Sequence, residues 1–184
     1  MRPLLLAGLA AAVLGTACSS GGGAPRSFDN PLGLPQNISI EQRREAPVHR
    51  VEVTHAAQEL ASEVPGVYRF LGLEVEESPQ DPYLFYTPNM RITGQLYEGE
   101  RNSAYLNCGA ALQGERADVY EVEFALVTRL RPLDGGGSIV ETRLEGRARD
   151  RFVNEAPVYC TGTGKLEGEI AELLRRGGVG DQGF

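Results

Sequence analysis

Cys160-Thr161-Gly162-Thr163-Gly164-Lys165 has the makings of a phosphate-binding loop, with small residues and a lysine where a helical pattern begins. A P-loop also needs a glycine five residues before Gly164 and a hydroxyl directly after the lysine. Those positions hold Tyr159 and Leu166. The stretch therefore reads as a cysteine followed by a turn and a helix cap, where an anion would be only a guest of the helix N-terminus. For nucleophilic catalysis, neither Gly-x-Ser-x-Gly nor Ser-x-x-Lys occurs. His49 falls on the inward face of a short strand and His55 at a helix start, ordinary places for a histidine. Glu74, Glu76, Glu77 and Asp81 supply carboxylates, but acid–base work by a carboxylate pair needs a cleft that raises one pKa, and these occupy exposed strand positions. Two distant cysteines and two histidines do not make a zinc site. The expectation is a chain with no catalytic residue, no cofactor and no metal, and hence not an enzyme.

The thiols are more telling. Arg2, the apolar run Leu4 to Leu14 and the small residues Gly15-Thr16-Ala17 have the three-part organisation of a secretory signal peptide. With Cys18 directly behind it, the segment resembles the lipobox of bacterial lipoproteins, although Leu14 stands four residues before the cysteine where the usual leucine stands three before. The resemblance implies cleavage after Ala17, acylation of Cys18 and anchoring by the lipid. Each buried methylene contributes about 0.8 kcal/mol, so two or more chains make a stable anchor. Ser19, in place of the aspartate that resembles an inner-membrane retention signal, points to the outer membrane with the domain facing the periplasm. Cys108 and Cys160 are then the remaining pair, and an even pair in an exported protein reads as a disulfide.

The 184-residue chain carries a net charge of −7. That charge, with its arginines scattered, argues against binding nucleic acid or anionic lipid through bulk charge. The apolar run at the N-terminus is too short to span a bilayer. Residues 18–46 read as the lipidated cysteine and a tether, because Ser19-Ser20-Gly21-Gly22-Gly23 can bury nothing and Pro25, Pro31 and Pro35 interrupt regular structure. About 28 such residues span roughly 30 Å as a random coil, enough to hold a domain clear of the headgroups. Ile38 and Ile40 are able to dock back on the domain.

Residues 47–178 form the expected domain, with a frayed tail over 179–184. His49, Val51 and Val53 alternate with polar residues as a strand. Thr54 can cap a helix carrying Ala57, Leu60, Ala61 and Val64, with Pro65-Gly66 as its end. Strands are expected over Leu71 to Glu76, Tyr83 to Tyr86 and Met90 to Leu96, with a short one near Cys108. The alternating runs on either side of Asp134-Gly135-Gly136-Gly137-Ser138 predict a hairpin. One register sets Phe124 opposite Ala148 and Leu130 opposite Thr142, with Arg129 facing Arg143; a slip by two preserves the faces. After Val158-Tyr159-Cys160, Leu166, Ile170, Leu173 and Leu174 repeat at helical spacing, preceded by Thr163 as a cap. The order predicts an α+β two-layer sandwich: an antiparallel sheet with two helices packed on one face. The Glu/Arg alternation from Glu121 to Arg149 predicts a wet outer face, left free for docking.

In layout, residues 48–176 resemble the helix-grip domains of BamC-type lipoproteins, most closely over Ala57 to Glu76. They also resemble the LptE-type assembly lipoproteins, which set two helices against an antiparallel sheet. The Cys108/Cys160 pair departs from both, and no functional residue carries over. The likeness implies a lipid-anchored, non-enzymatic domain that binds or scaffolds another envelope protein. The alternative is a lipid- or glycan-binding module whose apolar groove would gather Tyr68, Phe70, Tyr83, Phe85, Tyr86 and Tyr97.

Overall fold

The computed structural model describes residues 46–179 apart from Asn89 and Glu98. The expected signal peptide, Cys18, the tether and the tail beyond Val179 lie outside the described residues. The domain is the expected α+β sandwich. Its spine is one long antiparallel hairpin, β8 (Glu121–Pro132) and β9 (Ser138–Arg149), preceded in the chain by β1 (His49–Val53), α1 (Ala57–Phe70), β2 (Glu76–Glu77), β3 (Leu84–Tyr86), β4 (Met90–Thr93), β5 (Leu106–Asn107), a small β6/β7 hairpin (Ala110–Ala111, Gly114–Glu115) and α2 (Arg116–Val119). Then follow β10 (Val158–Gly162) and α3 (Lys165–Arg175).

The hairpin register differs by two residues from the one set out above. Phe124 faces Gly146, Leu130 faces Val140 and Thr128 faces Thr142. The charges explain the choice: this register sets Arg129 opposite Glu141 and Glu123 opposite Arg147, so the Arg129/Arg143 conflict disappears. Side chains keep their faces under a two-residue slip. The even-numbered residues Val122, Phe124, Leu126, Val140, Leu144 and Ala148 are all buried beneath the helices. Gly146 belongs here too, because a Cβ on it would come 3.0 Å from the Glu123 carbonyl.

Each edge of the spine is split midway between two short strands. On the β8 edge, β4 covers Glu121 to Phe124 and β3 covers Val127 to Arg129. On the β9 edge, β1 covers Ser138 to Thr142 and β10 covers Glu145 to Ala148. The peptide groups left in each gap need partners, since a buried unpaired N–H is costly. On the β8 side Thr87, itself fully buried, donates its N–H to Leu126 O (2.9 Å) and accepts the Leu126 N–H on its hydroxyl (2.9 Å). On the β9 side a carboxylate from α3 fills the gap, as described below.

α1 packs over β8, and α3 over β9 and against α1. α1 does not end at Pro65-Gly66 but runs on to Phe70. Proline in a helix interior removes one ladder hydrogen bond, yet Val64, Val67 and Tyr68 are completely buried beyond or beside it. Their burial outweighs the local penalty. The helix starts from Ala56 rather than from a Thr54 cap. Leu71 to Val75 turns into the sheet with only Glu76 and Glu77 paired, because Leu71 and Leu73 tuck separately into the core. On α3, Leu166, Ile170 and Leu174 are fully buried as expected; Leu173 is only partly so, because it faces sideways along the helix pair. Its cap is not Thr163 but Gly164, at φ +92°, where a side chain would be strained.

Candidate functional site: the helix-pair groove and the buried carboxylate behind it

The six aromatic residues expected to form one groove are dispersed. Tyr68 is fully buried under α1, its hydroxyl 2.9 Å from that of Thr128, which in turn lies 3.3 Å from the Thr142 hydroxyl. Burial pushes its phenol pKa up. Phe85 is in the same core, with Tyr83 partly buried against it. Tyr86 stands on the opposite side of the sheet with Leu84 and Val127. Of the six, Phe70 and Tyr97 share a surface groove.

They line an open groove of about 420 Å³ where the end of α1 meets α3. Its apolar floor is Phe70, Leu71, Tyr97 and Leu173, and its rim carries Lys165, Glu169, Glu172 and Arg176. Phe70 is 46% exposed, a large apolar side chain left in water by the terminal turn of α1. Gly168 also lines the groove, inside a helix where glycine costs about 1 kcal/mol relative to alanine. Nothing lies within 4 Å of where its Cβ would be, so no contact within the chain calls for a glycine. The rim is braced by ion pairs. Lys165 bonds Glu100 and lies 5.1 Å from the Tyr105 ring centre; Glu172 takes Arg175 and Arg176 at 2.8 and 2.7 Å. Those two guanidinium groups hold the Glu172 pKa down to about 2. Leu173 was expected on the buried stripe of α3 and Leu71 in a strand, neither of them in a groove, and Gly168 was not singled out by pattern. The signal for Gly168 was available: a glycine in the middle of an otherwise strong helix.

Behind the groove, the first turn of α3 carries the one acidic residue that the helix buries. Glu167 is 1% exposed, and its carboxylate takes hydrogen bonds from its own N–H, from Gly164 N–H and from Leu144 N–H. It thereby closes the split on the β9 edge and fills the anion position at the helix N-terminus. The Gly162-to-Lys165 stretch is thus a socket for the protein's own carboxylate, not for a phosphate. Desolvation is the largest influence and raises the Glu167 pKa, the backbone donors opposing it. A folded-state pKa above the unfolded value gives stability that is complete below the ordinary carboxyl range and is lost as pH rises through the raised pKa. Chemical denaturation over a pH series should show this loss in the wild-type chain and a flatter profile in Glu167→Gln. Equal slopes in the two proteins would contradict the assignment.

Cys108 and Cys160 form a disulfide between the end of β5 and the middle of β10, with Cα atoms 4.2 Å apart and both residues buried. The outer face of the spine differs from a plain wet surface. Glu141 and Glu145 are each 3% exposed. Glu141 pairs with Arg50 (2.9 Å) and Arg131 (3.5 Å), and Glu145 with Arg143 (3.2 Å) and the Tyr159 hydroxyl. The arginine stems lie across the sheet and cover the carboxylates. His49 lies on the inner face as expected, and His55 stands 3.9 Å from Glu59 at the start of α1. No group of three His, Cys, Asp or Glu side chains able to hold a metal occurs among the described residues. No helix among them is long and apolar enough to cross a membrane. No protein-family model matches this chain, and no curated protein is similar to it.

Proposed function

We propose that this protein is a lipid-anchored component of the bacterial cell envelope, held at the outer membrane through Cys18 and facing the periplasm. Its folded domain binds or scaffolds another envelope protein rather than performing catalysis. The observation that carries the docking role is the groove on the helix pair. Phe70 stands half in water beside the partly covered Leu173, and the interior glycine Gly168 leaves room for a foreign backbone to come close. The leader from Arg2 to Cys18 supports the anchoring. Glu167, whose pKa burial raises, belongs to the joint between α3 and the sheet, so it supplies structure and not acid–base chemistry.

The test uses the full-length anchored protein, purified from detergent-solubilised envelopes after crosslinking in intact cells. A partner protein should be recovered in stoichiometric amount with the wild type and lost with Phe70→Asp combined with Leu173→Asp, the variant retaining its anchor and a cooperative unfolding transition. Equal recovery with the folded variant would remove the groove from the account.

A further inference from the structure

The segment between β9 and β10 stands out from the sheet. Residues 151–157 are all exposed, Phe152 at 91% and Val153 at 48%. The Asp150 carboxylate accepts the Phe152 N–H at 2.8 Å and holds the turn, and the Arg151 guanidinium lies 5.9 Å from the Phe152 ring centre. A second apolar tip emerges at the same end of the sheet. β5 runs antiparallel to β10, so the chain beyond Asn107 heads toward Val158, where the 150–157 loop rejoins the sheet, and the Cys108–Cys160 bridge keeps it on that course. It leads to the turn between β6 and β7, where Leu112 is completely exposed. Apolar side chains standing singly on protruding turns make no flat patch for a rigid protein surface. They suit a soft layer that closes around them, as the boundary between lipid headgroups and acyl chains does around phenylalanine and leucine.

We propose that this end of the sheet rests on a zwitterionic phospholipid bilayer, with Phe152, Val153 and Leu112 entering the headgroup layer. Charge selects that surface. Arg149 and Arg151 are exposed and pair with no carboxylate among the described residues, whereas Arg147 is taken by Glu123 at 3.1 Å. Glu121 and Asp150 line the same hollow as Arg149, Arg151 and Phe152. The arginines can meet lipid phosphates and the carboxylates the ammonium groups beside them. An anionic surface would instead repel a chain of net charge −7. Reach is sufficient. β1 begins opposite Thr142, and from there to Arg149 the sheet runs about 23 Å at roughly 3.3 Å per residue. The stretch from Cys18 to Ala46, about 28 residues, reaches up to about 90 Å if extended. An anchor at Cys18 therefore lets this end of the domain come down to the bilayer. The proposal goes beyond the docking role and does not depend on Cys18 being acylated.

The chain has no tryptophan, so Phe152→Trp, Leu112→Trp and Leu133→Trp each give a single fluorophore. Leu133 directly follows the 12-residue β8, at the far end of the spine, and serves as the reference. Each chain from Cys18 to Phe184, folded with its disulfide formed, is coupled through the Cys18 thiol to a maleimide lipid in phosphatidylcholine vesicles with brominated acyl chains. Coupling keeps the bilayer at high effective concentration without any native acyl group. The probes at positions 152 and 112 should shift their emission to the blue and be quenched several-fold more than the probe at 133. Quenching of either no greater than at 133 would overturn the proposal. A blue shift without quenching would overturn it too, because the loop would then be covered by protein. So would contact seen only when phosphatidylglycerol replaces phosphatidylcholine. Adding Val153→Asp to the Phe152→Trp chain should cut the quenching several-fold while the unfolding transition persists, and unchanged quenching would count against the bilayer contact.

Discussion

Removing the Cys108–Cys160 bridge is expected to lower the unfolding free energy of the domain by about 4 kcal/mol, on the chain-entropy scale for a loop of this length. The bond joins residues 52 apart in sequence, and the loop between them holds β6, β7, α2 and the entire β8/β9 spine. Without it the unfolded chain regains the freedom of that whole segment. In the folded state, the bridge fixes a strand of two residues: β5 pairs with β10 only through Leu106 and Asn107. Few backbone bonds hold that edge, so it should fray first once the bridge is gone. Denaturant titration of Cys108→Ala with Cys160→Ala, compared with the oxidised wild type, should show the midpoint fall by the corresponding amount. Hydrogen exchange should accelerate most over residues 102–111. Equal stability of the two proteins, or free thiols in protein folded under oxidising conditions, would contradict the expectation.

Gly162→Ala is expected to be comparably harmful, at about 4 kcal/mol, because two penalties add: overpacking in a full core and loss of hydrogen bonds to buried backbone N–H groups. A Cβ at this position would run into the Glu167 carboxylate and come 3.0 Å from Leu144 Cβ. Glu167 is the end of a side chain and in open space would swing aside. Here it is buried and bonded to the N–H groups of Leu144 and Gly164. Moving it leaves the gap between β1 and β10 without its partner. Gly168→Ala is the internal control, since it makes the same chemical change nearby, inside α3 and in open space. It should stabilise the domain by about 1 kcal/mol through helix propensity alone. Opposite signs for the two substitutions, read from denaturant midpoints, would establish that the socket and not the glycine as such is at stake. Matching signs would refute it.

The contrast between those glycines also shows where the sequence is readable. Both amphipathic helices, the long hairpin, its faces and the cysteine pair follow from spacing and composition alone, because each is set by a period that survives small errors. Register does not survive them. The Arg129/Arg143 clash was the clue that Arg129 belongs opposite Glu141. The extent of α1 was hidden for a different reason: Pro65 is a local signal, and the burial of Val67 and Tyr68 that overrides it is a tertiary one. Glu167 reads on paper as one more acid on the same helix as Glu169 and Glu172. Only the split of the β9 edge between β1 and β10 gives it a buried partner. The dispersal of the six aromatics follows the same rule. Phe85 and Tyr86, adjacent on β3, fall on opposite faces once strand alternation is imposed, while Tyr68 belongs to the buried side of α1.

The proposed role has this domain held at a membrane and bound through the open helix-pair groove. The central claim is that the holding is done by lipid. Mass spectrometry of the N-terminal peptide from protein isolated from membranes tests it most directly. The expected mature chain begins at Cys18 and carries acyl chains, and the Cys18→Ser chain leaves the membrane fraction. An unmodified Cys18 with cleavage at another position, or a Cys18→Ser protein that stays with the membrane, would contradict it.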